Sequence, residues 1–84
     1  ELSDIKIVPN PSNGIIDVTL SNPNINTNIY IYNTTGQLIK QVNNVIGSTI
    51  IDLSENINGF YFLRFVNANN ENIIDTKKII IHKN

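Results

Sequence analysis

Apolar and polar residues alternate with a period of two along most of this chain. The pattern is cleanest at residues 14–20, where Ile16, Val18 and Leu20 fall on one face and Ile15, Asp17 and Thr19 on the other. That spacing predicts a half-buried strand with the first set facing the core. A short strand precedes it at residues 5–8, and another follows at 28–33, where Ile29 and Ile31 oppose Tyr30 and Tyr32 and both faces are partly apolar. Residues 37–42 and 48–53 continue the pattern, with Ile51 and Leu53 directed inward and Asp52 outward. Arg64 decides the facing of residues 60–66. If its charge stays in water, Phe60 and Phe62 share its outer face and Tyr61, Leu63 and Phe65 enter the core. Residues 73–81 form the last predicted strand, whose Asp75, Thr76, Lys77 and Lys78 blunt a possible sheet edge.

The segments between these runs carry turn chemistry. In Pro9-Asn10-Pro11-Ser12-Asn13-Gly14 two prolines remove ladder donors, and Gly14 accepts positive φ, so the segment predicts a stiff corner. Asn33-Thr34-Thr35-Gly36 predicts the tight turn of a hairpin, a looser connection runs through Gly47, and Asn58-Gly59 makes a further turn. The polar loop from Asn67 to Asn72 closes a second hairpin. No stretch sustains a period near 3.6, so helix is not expected. Short strands punctuated about every 8–12 residues predict an all-β fold, a seven-stranded antiparallel β-sandwich of immunoglobulin-like architecture, with a small barrel as the competing shape.

Length and composition narrow the function. The 84 residues fit one domain, with residues 1–4 read as the end of a linker, and most apolar side chains are needed for its core. A start at Glu1 and the absence of methionine suggest a segment cut from a longer polypeptide. Six basic and seven acidic residues give a net charge of -1, which argues against nucleic acid or an anionic membrane as partner. No apolar run reaches the length of a membrane span. Without cysteine, neither a disulfide nor a thiolate zinc site supports the fold, although export remains open.

Candidates for chemistry are sparse. The single histidine, His82, stands near the C-terminus, where fraying spoils the geometry that nucleophilic catalysis requires. Asp17, Asp52 and Asp75 read as ordinary polar-face residues, because nothing around them predicts a raised pKa. Asp52, Ser54, Asn56 and Asn58 alternate before Gly59 as calcium ligands do, but the glycine comes too late for an EF-hand and Arg64 stands near the loop's end. The expectation is therefore no catalytic residue, no metal and no cofactor.

Five segments carry more information together than apart. They are Val8-Pro9-Asn10-Pro11-Ser12-Asn13-Gly14, Ile31-Tyr32-Asn33-Thr34-Thr35-Gly36, Ile51-Asp52-Leu53, Gly59-Phe60-Tyr61 and Lys77-Lys78-Ile79-Ile80. In this order and spacing the chain resembles the type IX secretion system C-terminal sorting domains of type A, or Por secretion system tails, from about Ile5 to Lys83. Val8 stands where that family often has an aromatic, and Asn33 where aspartate is common. Neither change removes a turn-forming residue.

The resemblance implies a non-enzymatic export address on proteins of Bacteroidetes-type Gram-negative bacteria. The parent would cross to the periplasm and be recognised there by the outer-membrane translocon and its shuttle protein. A sortase-like peptidase would then remove the tail and attach the cargo to the cell surface. On this reading Pro9, Asn10, Pro11, Asn13, Gly14, Gly36, Gly59 and Tyr61 are structural, while Lys77, Lys78, Ile79, Ile80 and Ile81 carry translocon recognition, with Lys78 docking through exposed edge backbone or charge pairing. Two other functions fit the same strands. One is a carbohydrate-binding or adhesion module using exposed Tyr30, Tyr32, Phe60 and Phe62 as a stacking platform, and the other is a passive fibronectin-like spacer.

Overall fold

Pleated alternation and glycine- or asparagine-bearing turns produce an antiparallel fold throughout. The computed structural model describes residues 4–84, so three of the four expected linker residues lie outside the described part. Seven strands form among the described residues: β1 (Lys6–Val8), β2 (Ile15–Thr19), β3 (Thr27–Tyr32), β4 (Leu38–Val45), β5 (Ser48–Asp52), β6 (Gly59–Asn67) and β7 (Ile73–Ile81). They build two facing sheets, β1-β2-β5 and β4-β3-β6-β7. This is the predicted seven-stranded sandwich.

The core lies between the sheets. Ile16, Val18, Ile51 and Leu53 from one side meet Ile29, Ile31, Leu63, Phe65, Ile79 and Ile81 from the other. Full burial of each large aliphatic or aromatic side chain is worth about 1.5–3 kcal/mol, which is how this cysteine-free chain holds together. The facing assigned from Arg64 is the observed one: Tyr61, Leu63 and Phe65 are buried, while Phe60 and Arg64 are exposed. Tyr61 adds a polar anchor, its hydroxyl donating to the Ile57 carbonyl at 2.6 Å. A tyrosine near the start of this strand, bonded back to the preceding corner, is a hallmark of immunoglobulin-like sandwiches.

Two turns show why their residues are needed. In the β3–β4 hairpin, Asn33 Oδ1 accepts from the Thr35 amide (3.1 Å), the Thr35 hydroxyl (2.8 Å) and the Gln37 amide (2.9 Å). One side-chain oxygen thus organises the turn, a task asparagine performs as well as aspartate. At the end of the Pro9–Gly14 corner, Gly14 has φ +117°, and a Cβ there would stand 2.7 Å from Ser54 Cα. Only glycine fits.

Three expectations need correction. The fourth strand runs to Val45 and not to 42, because bulges between the partners of Ile31 and Tyr32 and of Thr27 and Ile29 break its alternation and hide its length. The connection through Gly47 is tight and not loose: only Ile46 and Gly47 separate β4 from β5, and the Ser48 amide donates to the Ile46 carbonyl at 3.0 Å. The edge of β7 at Lys78 is not open, because the corner after β1 lies along it.

Candidate functional site

That corner crosses from one sheet to the other. After β1 the chain forms a parallel bridge, Ser12 to Ile81. The Ser12 amide donates to the Ile80 carbonyl and the His82 amide donates to the Ser12 carbonyl, each at 2.8 Å. One step earlier, Asn10 Oδ1 accepts from the Ile80 amide at 3.0 Å and Asn10 Nδ2 donates to the Lys78 carbonyl at 3.4 Å. Pro9 and Pro11 have no amide hydrogens to leave unpaired along this seam. Ser12 is buried, and its hydroxyl accepts from the Gly14 amide (2.9 Å) and donates to the Ile15 carbonyl (3.1 Å). Asn13 Oδ1 accepts from the Ile15 amide at 3.4 Å. The corner thus seals the last half of β7, and strand addition at Lys78 would have to displace it.

A second clasp holds the chain beyond β7. The Lys83 amide donates to Asn58 Oδ1 at 2.9 Å, and Asn58 Nδ2 donates to the Lys83 carbonyl at 3.4 Å. Lys83 Nζ donates to the carbonyls of Ser54 (2.8 Å) and Asn56 (2.5 Å). The loop whose Asp52, Ser54, Asn56 and Asn58 alternate as calcium ligands do therefore aims two of its carbonyls at a lysine ammonium. Neither signal was readable from local sequence, since Asn58 and Lys83 stand 25 positions apart.

The five residues assigned to recognition divide between two faces. Ile79 and Ile81 are core residues, 0% and 1% exposed, and Lys77 lies in their register, 3.6 Å from the Asp75 carboxylate. Lys78 and Ile80 turn outward, opposite Phe62 and Phe60 of β6. With Tyr30, Tyr32 and Arg64, which also face outward, they cover the outside of the four-stranded sheet. Gly36 and Gly59 hold positive φ at their turns, while Tyr61 sits in the core.

The aromatic platform differs from the one expected for sugar stacking. Phe60 is 46% exposed, but Tyr30, Tyr32 and Phe62 are half-buried. Arg64 lies over the Tyr32 ring at 5.3 Å and Lys78 over the Phe60 ring at 4.9 Å. Cation–π attraction of this kind is worth about 0.5–1 kcal/mol at exposed sites, and on Tyr32 and Phe60 it occupies a ring face on which a pyranose would stack.

Catalytic geometry does not assemble at the residues considered for it. Asp17 and Asp52 lie on the outer face of the three-stranded sheet, opposite Ile50 and Ile15, while Asp75 belongs to the other sheet. Hydrogen bonding from Ser54, side chain first and then amide, holds Asp52 below the usual carboxylate range, and the Lys40 charge adds to it. That shift keeps the carboxylate ionised, the opposite of what a general acid needs. His82 contributes only its backbone to the seam. Among the described residues no group of three or more histidine, cysteine, aspartate or glutamate side chains is placed to hold a metal ion, and no helix is long and apolar enough to cross a membrane.

No curated protein matches this chain. The model of the secretion system C-terminal sorting domain matches residues 6–82, from the first residue of β1 to the residue that closes the seam. This family is one of type IX secretion signals and not of enzymes, and its tails mark secreted proteins. The span from Lys6 to His82 takes in every strand and the corner that joins the two sheets, and on that match the chain belongs to the secretion system C-terminal sorting domain family.

Proposed function

We propose that residues 1–84 act as one C-terminal sorting domain that directs a larger cargo through the type IX translocon and across the outer membrane. The translocon and its shuttle protein read the folded domain in the periplasm. A sortase-like peptidase then removes it and joins the cargo to the cell surface, so the domain is a substrate of that enzyme and performs no catalysis itself. The observation that carries this reading is the family match over residues 6–82. The sealed seam agrees with it, because a transport label must keep one shape while adding little burden to its cargo.

Recognition centres on Lys77 to Ile81, with a division of labour. Ile79 and Ile81 fix the strand in the core, and the outward Lys78 and Ile80 are the part a partner can touch. Pro9, Asn10, Pro11, Asn13 and Gly14 support that strand from its edge. Deleting residues 77–84 is therefore a poor test, since it strips two core side chains along with the label.

A reporter fusion is the better one. A fluorescent protein carrying a periplasmic leader and this domain should reach the surface of a type IX-competent bacterium and remain periplasmic in a translocon-deficient strain. A reporter that stays periplasmic in both strains overturns the proposal.

A further inference from the structure

The outer face of the four-stranded sheet has a one-sided charge. Register places Tyr30 and Tyr32 of β3, Phe60, Phe62 and Arg64 of β6, and Lys78 of β7 on this face. The other outward positions, among them Asn28, Leu38, Gln41, Val66, Thr76 and Ile80, are uncharged. Two cations thus stand among aromatic rings with no carboxylate on the same face, in a chain whose net charge is -1. The nearest acid of β7, Asp75, stands opposite Phe65 in the core-facing register and pairs with Lys77. The outer face of the other sheet is mixed by contrast, carrying both Lys6 and the acids Asp17 and Asp52.

Both cations are already positioned. Arg64 rests over Tyr32 and Lys78 over Phe60, at 5.3 and 4.9 Å, and both side chains remain exposed. Resting on a ring restricts a long side chain and lowers the ordering cost of binding, while the charge stays open to a partner. The Tyr32 and Phe60 ring faces are themselves taken. What the surface offers is two fixed positive charges about an aromatic floor, and the matching chemistry is a carboxylate-bearing protein surface with apolar groups between the acids.

Resting on the sorting function proposed above, we infer that this face is where the secretion machinery docks, through an acidic and apolar protein surface that meets Arg64 and Lys78. Docking is by the sheet face and not by strand addition, because Asn10 and Ser12 occupy the β7 edge at Lys78 and Ile80.

The test uses the reporter fusion with single charge reversals that leave the core untouched. R64E and K78E should each lower surface reporter at least about tenfold, as like-charge juxtaposition in an interface costs several kcal/mol. K6E, the same charge change on the opposite sheet, should stay within about twofold of wild type, as rim charges away from an interface do. R64K and K78R, which keep the charge, should retain most export. Thermal melting of each purified domain checks folding, and if a glutamate variant melts early, R64Q and K78Q take its place with an expected loss of about threefold or more.

Equal export of R64E, K78E and wild type overturns this docking face and leaves the sorting function standing. Equal losses in K6E also overturn it, by showing a general charge effect. Failure of the wild-type tail to export the reporter removes the sorting function itself. If R64E and K78E export normally but lose retention on polygalacturonate beads that hold the wild type, the face belongs to an anionic polysaccharide and the proposal is wrong.

Discussion

Substituting Gly14 by alanine should damage this domain far more than the same change at Gly36, although both glycines have positive φ. Gly14 adopts φ +117° and Gly36 φ +84°, and each alanine incurs a left-handed backbone cost of about 1–2 kcal/mol. Each also recovers about 0.4–1 kcal/mol by reducing the freedom of the unfolded chain. The positions differ in what the new methyl meets: Ser54 Cα at 2.7 Å for Gly14, and nothing within 4 Å for Gly36. Because the obstacle is backbone, it cannot rotate aside, and such overpacking costs about 1–3 kcal/mol.

The net loss is then about 1–4.5 kcal/mol for G14A and about 0–1.5 kcal/mol for G36A. A domain of this length has roughly 4–13 kcal/mol in total at about 0.05–0.15 kcal/mol per residue, so G14A removes a large share. Urea unfolding followed by tyrosine fluorescence measures both. With a slope near 1 kcal/mol per molar, the G14A midpoint should fall about 1–3 M below that of G36A at unchanged slope. Coincident midpoints would refute the close approach of the corner to Ser54.

Three further predictions follow from the hydrogen bonds. Y61F removes the donor to the Ile57 carbonyl and should cost about 0.5–1.5 kcal/mol in urea unfolding, with reporter export retained at temperatures where the domain stays folded. N10A frees the Ile80 amide, so hydrogen exchange at Ile80 should accelerate well beyond that at Ile79, which pairs inward with Tyr61. Unchanged exchange at Ile80 would count against the edge cap. Asp52 has a folded pKa below the ordinary 3.8, so its contribution is present above that value and is lost as pH falls through the lower folded one. Acid unfolding of D52N should therefore show a shallower loss of stability below about pH 4 than wild type, and identical curves would exclude the Ser54 and Lys40 interactions as its cause.

The sandwich was readable because its evidence is local. Alternation in β2 and β6, the single charge of Arg64, and the turns at Asn33–Gly36 and Asn58–Gly59 each act over a few residues, and the strands follow them. The far end of β4 was hidden by bulges, whose extra residues shift the alternation by one, with Asn44 at φ +57° marking one of them. The seam was hidden for another reason. Ile80 and Asn10 lie 70 positions apart, and no periodicity in either segment announces that they meet. The corner was legible as a turn, but its work as an edge cap was not. For the same reason the sequence alone leaves the backbone at Lys78 looking open, where Asn10 occupies its carbonyl. The outer face shows a mixture: its aromatic members follow from alternation, whereas the placing of Arg64 and Lys78 over particular rings depends on cross-strand register.

The joining of Asn10 and Ser12 to β7 also ties the opening corner of the domain to its last strand. A nascent chain that has emerged only as far as β6 lacks the strand that its opening corner must grip, so the two sheets stay unlatched until residue 82 is available. Pairing over so long a separation slows folding, because loop-closure entropy is paid before the contact forms. A tail cut short of β7 would thus lose its latch and hold a looser shape.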